Sequence, residues 1–229
     1  MSKITEITPI AYIHNDFKEK FGIPRQSGRV PQIISRIVFE PEYRNSDALR
    51  GLDGFSHLWI LWQFSESGSD RWSPTVRPPR LGGNQRMEVF ATRSPFRPNP
   101  IGLSCVEIRN IALSSPEGPY IEVSGADLMD GTPIYDIKPY LPYVDSVPEA
   151  LGGFAEEHKN HFLQVKIPIE LKEKLTENQI QNITELLSLD PRPSYQNDEE
   201  RIYGLSFEDL QIKFKYKEDK IIVSDIIRG

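Results

Sequence analysis

The sequence contains a single cysteine, Cys105, which excludes an internal disulfide. The residues around it alternate between apolar and polar, and this pattern predicts a buried, unreactive thiol. No apolar run approaches the ~20 residues that a membrane-spanning helix needs. The first residues lack the basic and then apolar order of a secretory signal, so we expect a cytoplasmic protein.

Several motifs of common enzyme classes are also missing. There is no Gly-x-Gly-x-x-Gly after a strand and no Gly-x-x-x-x-Gly-Lys, which argues against a Rossmann dinucleotide site and a phosphate-binding loop. The absence of Gly-x-Ser-x-Gly disfavours an α/β-hydrolase. His158 and His161 lack acidic or cysteine companions at the spacing of a zinc site, so no metal is expected.

Positive charge is scarce overall but concentrated in one segment. The chain has a net charge of −6, yet residues 71–97 contain six arginines, one acid and no lysine, a net +5 that leaves −11 for the rest. Arginine without lysine favours specific, planar contacts with carboxylate or phosphate over a diffuse attraction to nucleic acid. A basic patch that only offsets nearby acids is the alternative.

Residues 86–102 form the most informative stretch. Met87, Val89 and Ala91 alternate with polar or aromatic residues, which predicts a strand over 86–92. The turn that follows places Arg93 and Arg97 among three prolines, and proline restricts both its own backbone and that of the preceding residue. A stiff loop with two guanidinium groups predicts a carboxylate or phosphate site, with an arginine-bearing surface turn as the alternative.

The hydrophobic pattern predicts a mainly β protein in two domains. Strands are expected at 4–13, 35–40, 55–64, 86–92, 102–113 and 120–128, and strands without alternating helices favour an antiparallel barrel or sandwich. Composition changes near 147, so we predict a domain over 1–147 and a small α+β domain over 148–229. In the latter, 176–179 has the form of a helix capping box, and 210–227 reads as a hairpin.

Three further loops carry candidate binding residues. The Gly- and Pro-containing loop at 21–29 presents Arg25 and Gln26, unless it is only a solvated loop. His57 begins an apolar strand, either as a ligand-binding residue or as a core histidine with its hydrogen bonds satisfied. Asp127 and Asp130 follow another strand and either accept hydrogen bonds from ribose hydroxyls or an ammonium group, or form an Asx turn.

These segments occur in the order found in the TrmO family of tRNA methyltransferases (TsaA-like proteins), which the chain resembles over roughly residues 4–147. The matching motifs are PRQ at 24–26, GFSHLW at 54–59, RPPR at 77–80, FATRSPFRPNPIG at 90–102 and DGTPIYDIKPY at 130–140. DPRPSY at 190–195 resembles the motif of the family's C-terminal domain.

The resemblance implies an antiparallel β-barrel enzyme that uses S-adenosylmethionine to methylate N6 of N6-threonylcarbamoyladenosine beside the anticodon of tRNA. It also implies a homodimer. The implied cofactor-binding residues are Pro24, Arg25, Gln26, His57, Arg93, Leu103, Asp127, Leu128, Asp130 and Gly131. Arg25, Arg93 and Asp130 are expected to be catalytic. Phosphates of the tRNA anticodon arm are assigned to Arg71, Arg77, Arg80 and Arg97.

Two other functions stay open at this point. A binding module would keep the cofactor pocket without chemistry, and a different methyltransferase would act on a small molecule. The arginine-rich segment at 71–97 favours RNA as the partner.

Overall fold

The structure, a computed structural model, describes residues 6–65, 72–78, 85–158, 162–193 and 198–229. Its strands are β1 (Ala11–His14), β2 (Ile34–Phe39), β3 (His57–Gln63), β4 (Thr75–Val76), β5 (Met87–Glu88), β6 (Ile101–Ala112), β7 (Tyr120–Ser124), β8 (Pro133–Pro139), β9 (Gln164–Lys166), β10 (Tyr203–Phe207), β11 (Leu210–Lys217) and β12 (Lys220–Arg228). Its α-helices are α1 (Pro142–Asp145), α2 (Ile169–Lys172) and α3 (Glu177–Ser188). Short 3-10 helices lie at Pro41–Tyr43, Ser46–Leu49, Leu52–Gly54, Val89–Ala91 and Gly153–His158.

Six strands close into an antiparallel barrel in the order β1, β2, β7, β6, β3, β8. Along β3, Leu58, Ile60 and Trp62 are buried in the interior and alternate with half-buried residues on the outside. Isoleucines and valines of the neighbouring strands complete the core. The barrel confirms the predicted mainly β fold and decides against a sandwich, because closure pairs the edges that an open sheet would expose.

Cys105 lies on the outward-facing side of β6, opposite Trp59 of β3, and is only partly buried. The expectation of a buried thiol is therefore wrong. The alternation around Cys105 does form a strand, but Ser104 and Val106 are the residues that face the core.

A second, four-stranded sheet has the order β10, β11, β12, β9. The predicted hairpin is confirmed as β11 and β12, and the predicted capping box at Thr176 and Gln179 begins α3. β9 joins the sheet parallel to β12. β9 and β10 were not predicted, because three to five residues offer too short a pattern to distinguish a strand from a loop.

The described residues group into two compact units that do not follow chain order. The first comprises Met1–Asn15, Gln26–Trp72 and Pro95–Pro142, and the second comprises Asp16–Arg25, Ser73–Ser94 and Tyr143–Gly229. The first holds the barrel and the second the four-stranded sheet. The sequence-based boundary at 147 divides the chain along its length, and it stays a prediction.

The segment Asp16–Arg25 packs onto the four-stranded sheet of the second unit. The rings of Phe21 and Phe214 stack with centroids 6.3 Å apart. Gly22 has a φ of +94°, and a Cβ at this position would overlap Cδ1 of the fully buried Leu205. Glycine is needed here for both its left-handed backbone and its small size.

The predicted strand over 86–92 is largely wrong. Only Met87–Glu88 forms a strand, and Val89–Ala91 turns into a 3-10 helix. Val89 is the only residue of that turn that is buried, while both the backbone N–H and the hydroxyl of Thr92 donate to its carbonyl oxygen, at 3.1 and 2.8 Å. These bonds within the segment replace the ladder that a longer strand would need.

Candidate functional site

A fixed carboxylate lies where the chain leaves the barrel after β7. The indole Nε1 of Trp62 donates to Ser104 Oγ at 2.9 Å, and that hydroxyl donates to Asp127 Oδ1 at 2.5 Å. Ser104 is 1% exposed and Trp62 is 7% exposed, whereas Asp127 is only partly buried. The barrel interior therefore orients one oxygen of a carboxylate that still reaches the surface.

Residues at the end of β1 form hydrogen bonds with the segment 128–131, which follows Asp127. The backbone N–H of Asn15 donates to Asp130 Oδ1 at 3.0 Å, and its side-chain amide donates to the Leu128 carbonyl oxygen at 3.0 Å. Gly131 N–H donates to the Ile13 carbonyl oxygen at 2.8 Å. Asn15 was missed in the sequence, since only the pairing of β1 with β8 places it beside Asp130.

The loop that begins at Gln26 reaches the same region. Gly28 N–H donates to the Gly125 carbonyl oxygen at 2.7 Å. A Cβ on Gly125, whose φ is +74°, would lie 2.9 Å from Gly28 Cα, so the two backbones touch. The first unit thus links the loop that begins at Gln26 to the segment that carries Asp127, Leu128, Asp130 and Gly131.

His57 and Leu103 lie at different heights on the outside of the barrel. In the β3–β6 ladder, His57 is opposite Glu107 and Leu103 is opposite Leu61, four residues away. At about 3.3 Å per residue this separates them by roughly 13 Å. His57 Nδ1 is 2.9 Å from Ser56 Oγ, and 49% of Leu103 is exposed. Within one chain, these two predicted cofactor residues are not brought together.

Pro24 and Arg25 belong to the second unit, at a cavity of about 320 Å³ lined by residues 20–25, 186 and 189–191. Pro24 is buried, and Arg25 is exposed. Nη2 of Arg25 donates to the Arg192 carbonyl oxygen at 2.9 Å. In the sequence Arg192 stands out only as part of the motif at 190–195, because its contact with Arg25 spans 167 positions along the chain.

Arg93 is exposed and follows the 3-10 turn of the second unit. Thr92 Oγ accepts from Ser94 N–H at 3.2 Å, which holds the backbone on both sides of Arg93. In the first unit Arg97 is half-buried, and its N–H donates to the Pro95 carbonyl oxygen at 2.8 Å. Arg77 is exposed. The predicted tRNA contacts Arg71 and Arg80 lie outside the described residues.

Tyr135 on β8 donates a short hydrogen bond to Gln63 Oε1 on the outside of the barrel. Burial, and then the nearby Tyr12, raise the pKa of Tyr135, so that its hydroxyl stays protonated and remains a donor at neutral pH.

Among the described residues no group of three or more His, Cys, Asp or Glu side chains is arranged to hold a metal ion. In the parts of the chain that the structure describes, no helix has the length and apolar character needed to cross a membrane.

Two family models match the chain. The tRNA-methyltransferase O N-terminal domain matches residues 12–146, and the TrmO C-terminal domain matches residues 160–229. Together they cover the barrel and the four-stranded sheet with α3.

Relatives match over nearly the whole chain. A tRNA (adenine(37)-N6)-methyltransferase from Escherichia coli is 41% identical over 90% of this chain and 91% of its own. A putative S-adenosylmethionine-dependent methyltransferase from Pseudomonas aeruginosa is 38% identical over 97% and 98%. A crystal structure of TrmO from the same organism has a TM-score of 0.77 and 33% identity, and the match covers 100% of this chain and 99% of that one.

Proposed function

This chain belongs to the tRNA-methyltransferase O family, and from that premise we propose that it transfers a methyl group from S-adenosylmethionine to N6 of N6-threonylcarbamoyladenosine beside the anticodon of tRNA. The observation that carries the proposal is the match of both family domains within one chain. The fixed loops at the barrel end supply a site that suits this reaction.

The residues of the first unit fit the polar groups of the cofactor. Asp127 and Asp130 are each held by a hydrogen bond from the barrel, and a carboxylate accepts hydrogen bonds from ribose hydroxyls or an ammonium group. Leu128 is buried and fixes the backbone between them. Gln26 and Gly131 complete this set of loops. When bound, the cofactor supplies a methyl group on a positively charged sulfur.

Arg25 and Arg93 are the candidates for binding negatively charged groups. We assign Arg25 and Arg93 to carboxylates, either that of the cofactor or that of the threonyl group, because the guanidinium fork pairs with a carboxylate through two hydrogen bonds. S-adenosylmethionine held by these residues would supply the methyl group and leave as a neutral thioether, and the N6 proton would pass to a base. Asp130, His57 and water are the candidate acceptors. The carbamoyl group acidifies this proton. Because the transfer is an in-line displacement, positioning of the two reactants supplies much of the acceleration.

We further propose that the protein binds the anticodon arm of tRNA, forms a homodimer and is located in the cytoplasm. Arg77 and Arg97, with Arg71 and Arg80, are assigned to tRNA phosphates, and each such contact adds to the salt dependence of binding. On β6, 37% of Ile101 and 49% of Leu103 are exposed, and an apolar outer face supports association of two copies. The division into domains at 1–147 and 148–229 is part of the same proposal.

Mass spectrometry of nucleosides tests the function. We expect purified protein with S-adenosylmethionine to convert N6-threonylcarbamoyladenosine in tRNA into a nucleoside that is heavier by one methyl group. The same nucleoside should disappear from the tRNA of cells that lack the protein. Cofactor binding without transfer to any tRNA would favour the binding module, and transfer to a free amine alone would favour a small-molecule methyltransferase.

Ser104→Ala tests whether the barrel interior orients Asp127. We expect the KM for S-adenosylmethionine to rise about tenfold, because a hydrogen bond to a charged group is worth about 1.5–3 kcal/mol. The free energy of unfolding should fall by about 1–2 kcal/mol, since Trp62 N–H loses its buried acceptor. Steady-state kinetics and thermal melting measure the two effects.

Ser124→Ala is the matched control. Ser124 is also buried, with 2% exposed, but its hydroxyl accepts from Arg109 Nε at 3.0 Å and donates to Glu107 Oε2 at 3.4 Å, and neither partner belongs to the predicted cofactor set. We expect a loss of stability with the KM unchanged. If Ser104→Ala behaves in the same way, Ser104 serves only the fold.

A further inference from the structure

Asp190 and Arg192 form a closed clasp in the second unit, directly after α3. Asp190 has a φ of +51°, a left-handed conformation that aspartate tolerates better than most residues. Its Oδ1 accepts from the backbone N–H of Arg192 at 3.3 Å and from Nε at 2.7 Å, and Oδ2 accepts from Nη2 at 2.8 Å. Pro191 and Pro193 restrict the backbone on both sides.

The Arg192 side chain cannot easily leave this arrangement. It is 6% exposed, and its guanidinium carbon lies 3.4 Å from the centre of the Tyr216 ring. Burial acts to lower the pKa of Arg192, but the hydrogen bonds and charge of Asp190 outweigh it, so the pKa is raised and the group stays charged. The hydrogen bond to Asp219, followed by burial, raises the pKa of Tyr216, so the ring beneath it stays neutral.

The clasp fixes the position of the Arg192 carbonyl oxygen, which accepts a hydrogen bond from Arg25. Nη2 of Arg25 donates to the Arg192 carbonyl oxygen at 2.9 Å, although Arg25 itself is exposed. A long arginine side chain carries about 2 kcal/mol of rotamer entropy, so an exposed one rarely keeps a single orientation without a partner. The Phe21–Phe214 stack fixes the segment that leads to Arg25 onto the same sheet.

We propose that Asp190 and Arg192 are positioning residues that set the orientation of the Arg25 guanidinium for an incoming carboxylate. The inference rests on the proposed function, in which Arg25 binds a carboxylate of the cofactor or of the modified nucleoside. It gives the residues that follow α3 a role in carboxylate binding by Arg25. Neither residue contacts the substrate, and both act through the Arg192 carbonyl oxygen.

A double-mutant cycle tests the coupling. We expect Arg192→Lys and Asp190→Asn each to raise the KM for one of the two carboxylate-bearing reactants between roughly 10- and 100-fold, because small misplacements of a binding group have effects of that size. In an Arg25→Ala background the same substitutions should change the KM no further. Fully additive effects would overturn the inference.

Arg201→Lys is the matched control. Arg201 also lies over a tyrosine, Tyr203, at 5.5 Å, and belongs to the same unit. It is expected to leave the KM unchanged. If Arg192→Lys fails to fold, Asp190→Asn carries the test, since asparagine tolerates the left-handed backbone and keeps one acceptor oxygen.

A measurement that needs no activity separates this inference from the proposed function. NMR relaxation of the Arg25 Nε–H group should show restricted motion in the wild-type protein and increased motion in Asp190→Asn and Arg192→Lys. A mobile Arg25 in the wild type, or one that stays equally restricted in both variants, would overturn the positioning role. A wild-type protein that fails to methylate the modified tRNA would instead overturn the proposed function.

Discussion

Arg93→Ala is expected to reduce methyl transfer to tRNA by roughly 100-fold or more while the melting temperature stays nearly unchanged. Arg93 is exposed, and substitutions at exposed positions usually change the free energy of unfolding by less than about 0.5 kcal/mol. In contrast, removal of one partner from a charge pair that becomes buried on binding costs about 2–5 kcal/mol. Kinetics with tRNA that carries N6-threonylcarbamoyladenosine, alongside thermal melting, measure both effects.

The turn around Arg93 is held by hydrogen bonds of Thr92, so its backbone should keep its conformation in Arg93→Ala. Thr92 bonds to Val89 on one side and accepts from Ser94 N–H on the other, so alanine at 93 leaves the backbone held. Arg86→Ala is the control, because Arg86 is another exposed arginine of the same unit. We expect its turnover to stay within about twofold of wild type. Near-normal turnover of Arg93→Ala would remove Arg93 from the site.

Gly102→Ala is expected to lower the free energy of unfolding by about 2–6 kcal/mol. Gly102 on β6 lies directly opposite Trp62 on β3, and a Cβ there would overlap three atoms of the indole ring. The ring has little room to move, since it is 7% exposed and its centroid is 4.2 Å from that of Phe64. Overpacking costs about 1–3 kcal/mol, and displacement of the indole from Ser104 adds about 1–3 kcal/mol.

The expected loss of stability in Gly102→Ala is opposite in sign to the usual effect of this substitution in a strand. Replacing a strand glycine by alanine normally stabilises, because glycine loses more conformational freedom on folding. Gly204→Ala on β10 is the control, since a Cβ at that position meets no atom within 4 Å. We expect Gly102→Ala to lower the melting temperature by roughly 5–15 °C and Gly204→Ala not to lower it. Equal melting temperatures would show that the indole yields without cost.

Loss of the hydrogen bond from the Trp62 indole should also change the orientation of Asp127 in the candidate site. Trp62, Ser104 and Asp127 form one chain of donors and acceptors, so a displaced Trp62 leaves the Ser104 hydroxyl free to reorient. We therefore expect the KM for S-adenosylmethionine to rise in Gly102→Ala even at temperatures where the protein is fully folded.

The amino-acid sequence by itself determined the mainly β character, the capping box at Thr176, the β11–β12 hairpin and the motifs that point to the family. Each depends on residues only a few positions apart, whose spacing reports directly on strand or helix periodicity. The same local reasoning failed at 86–92, where Thr92 bonds back to Val89 and ends the strand early.

Only the tertiary structure decided which distant residues meet. Barrel closure places Asn15 beside Asp130 and Ser104 beside Asp127, and the fold of the second unit places Arg192 beside Arg25. The separations along the chain are 115, 23 and 167 residues, far beyond any local periodicity. Such pairs form because burial of the apolar strand faces selects one closed arrangement, and the polar side chains at its ends are then held wherever that closure brings them.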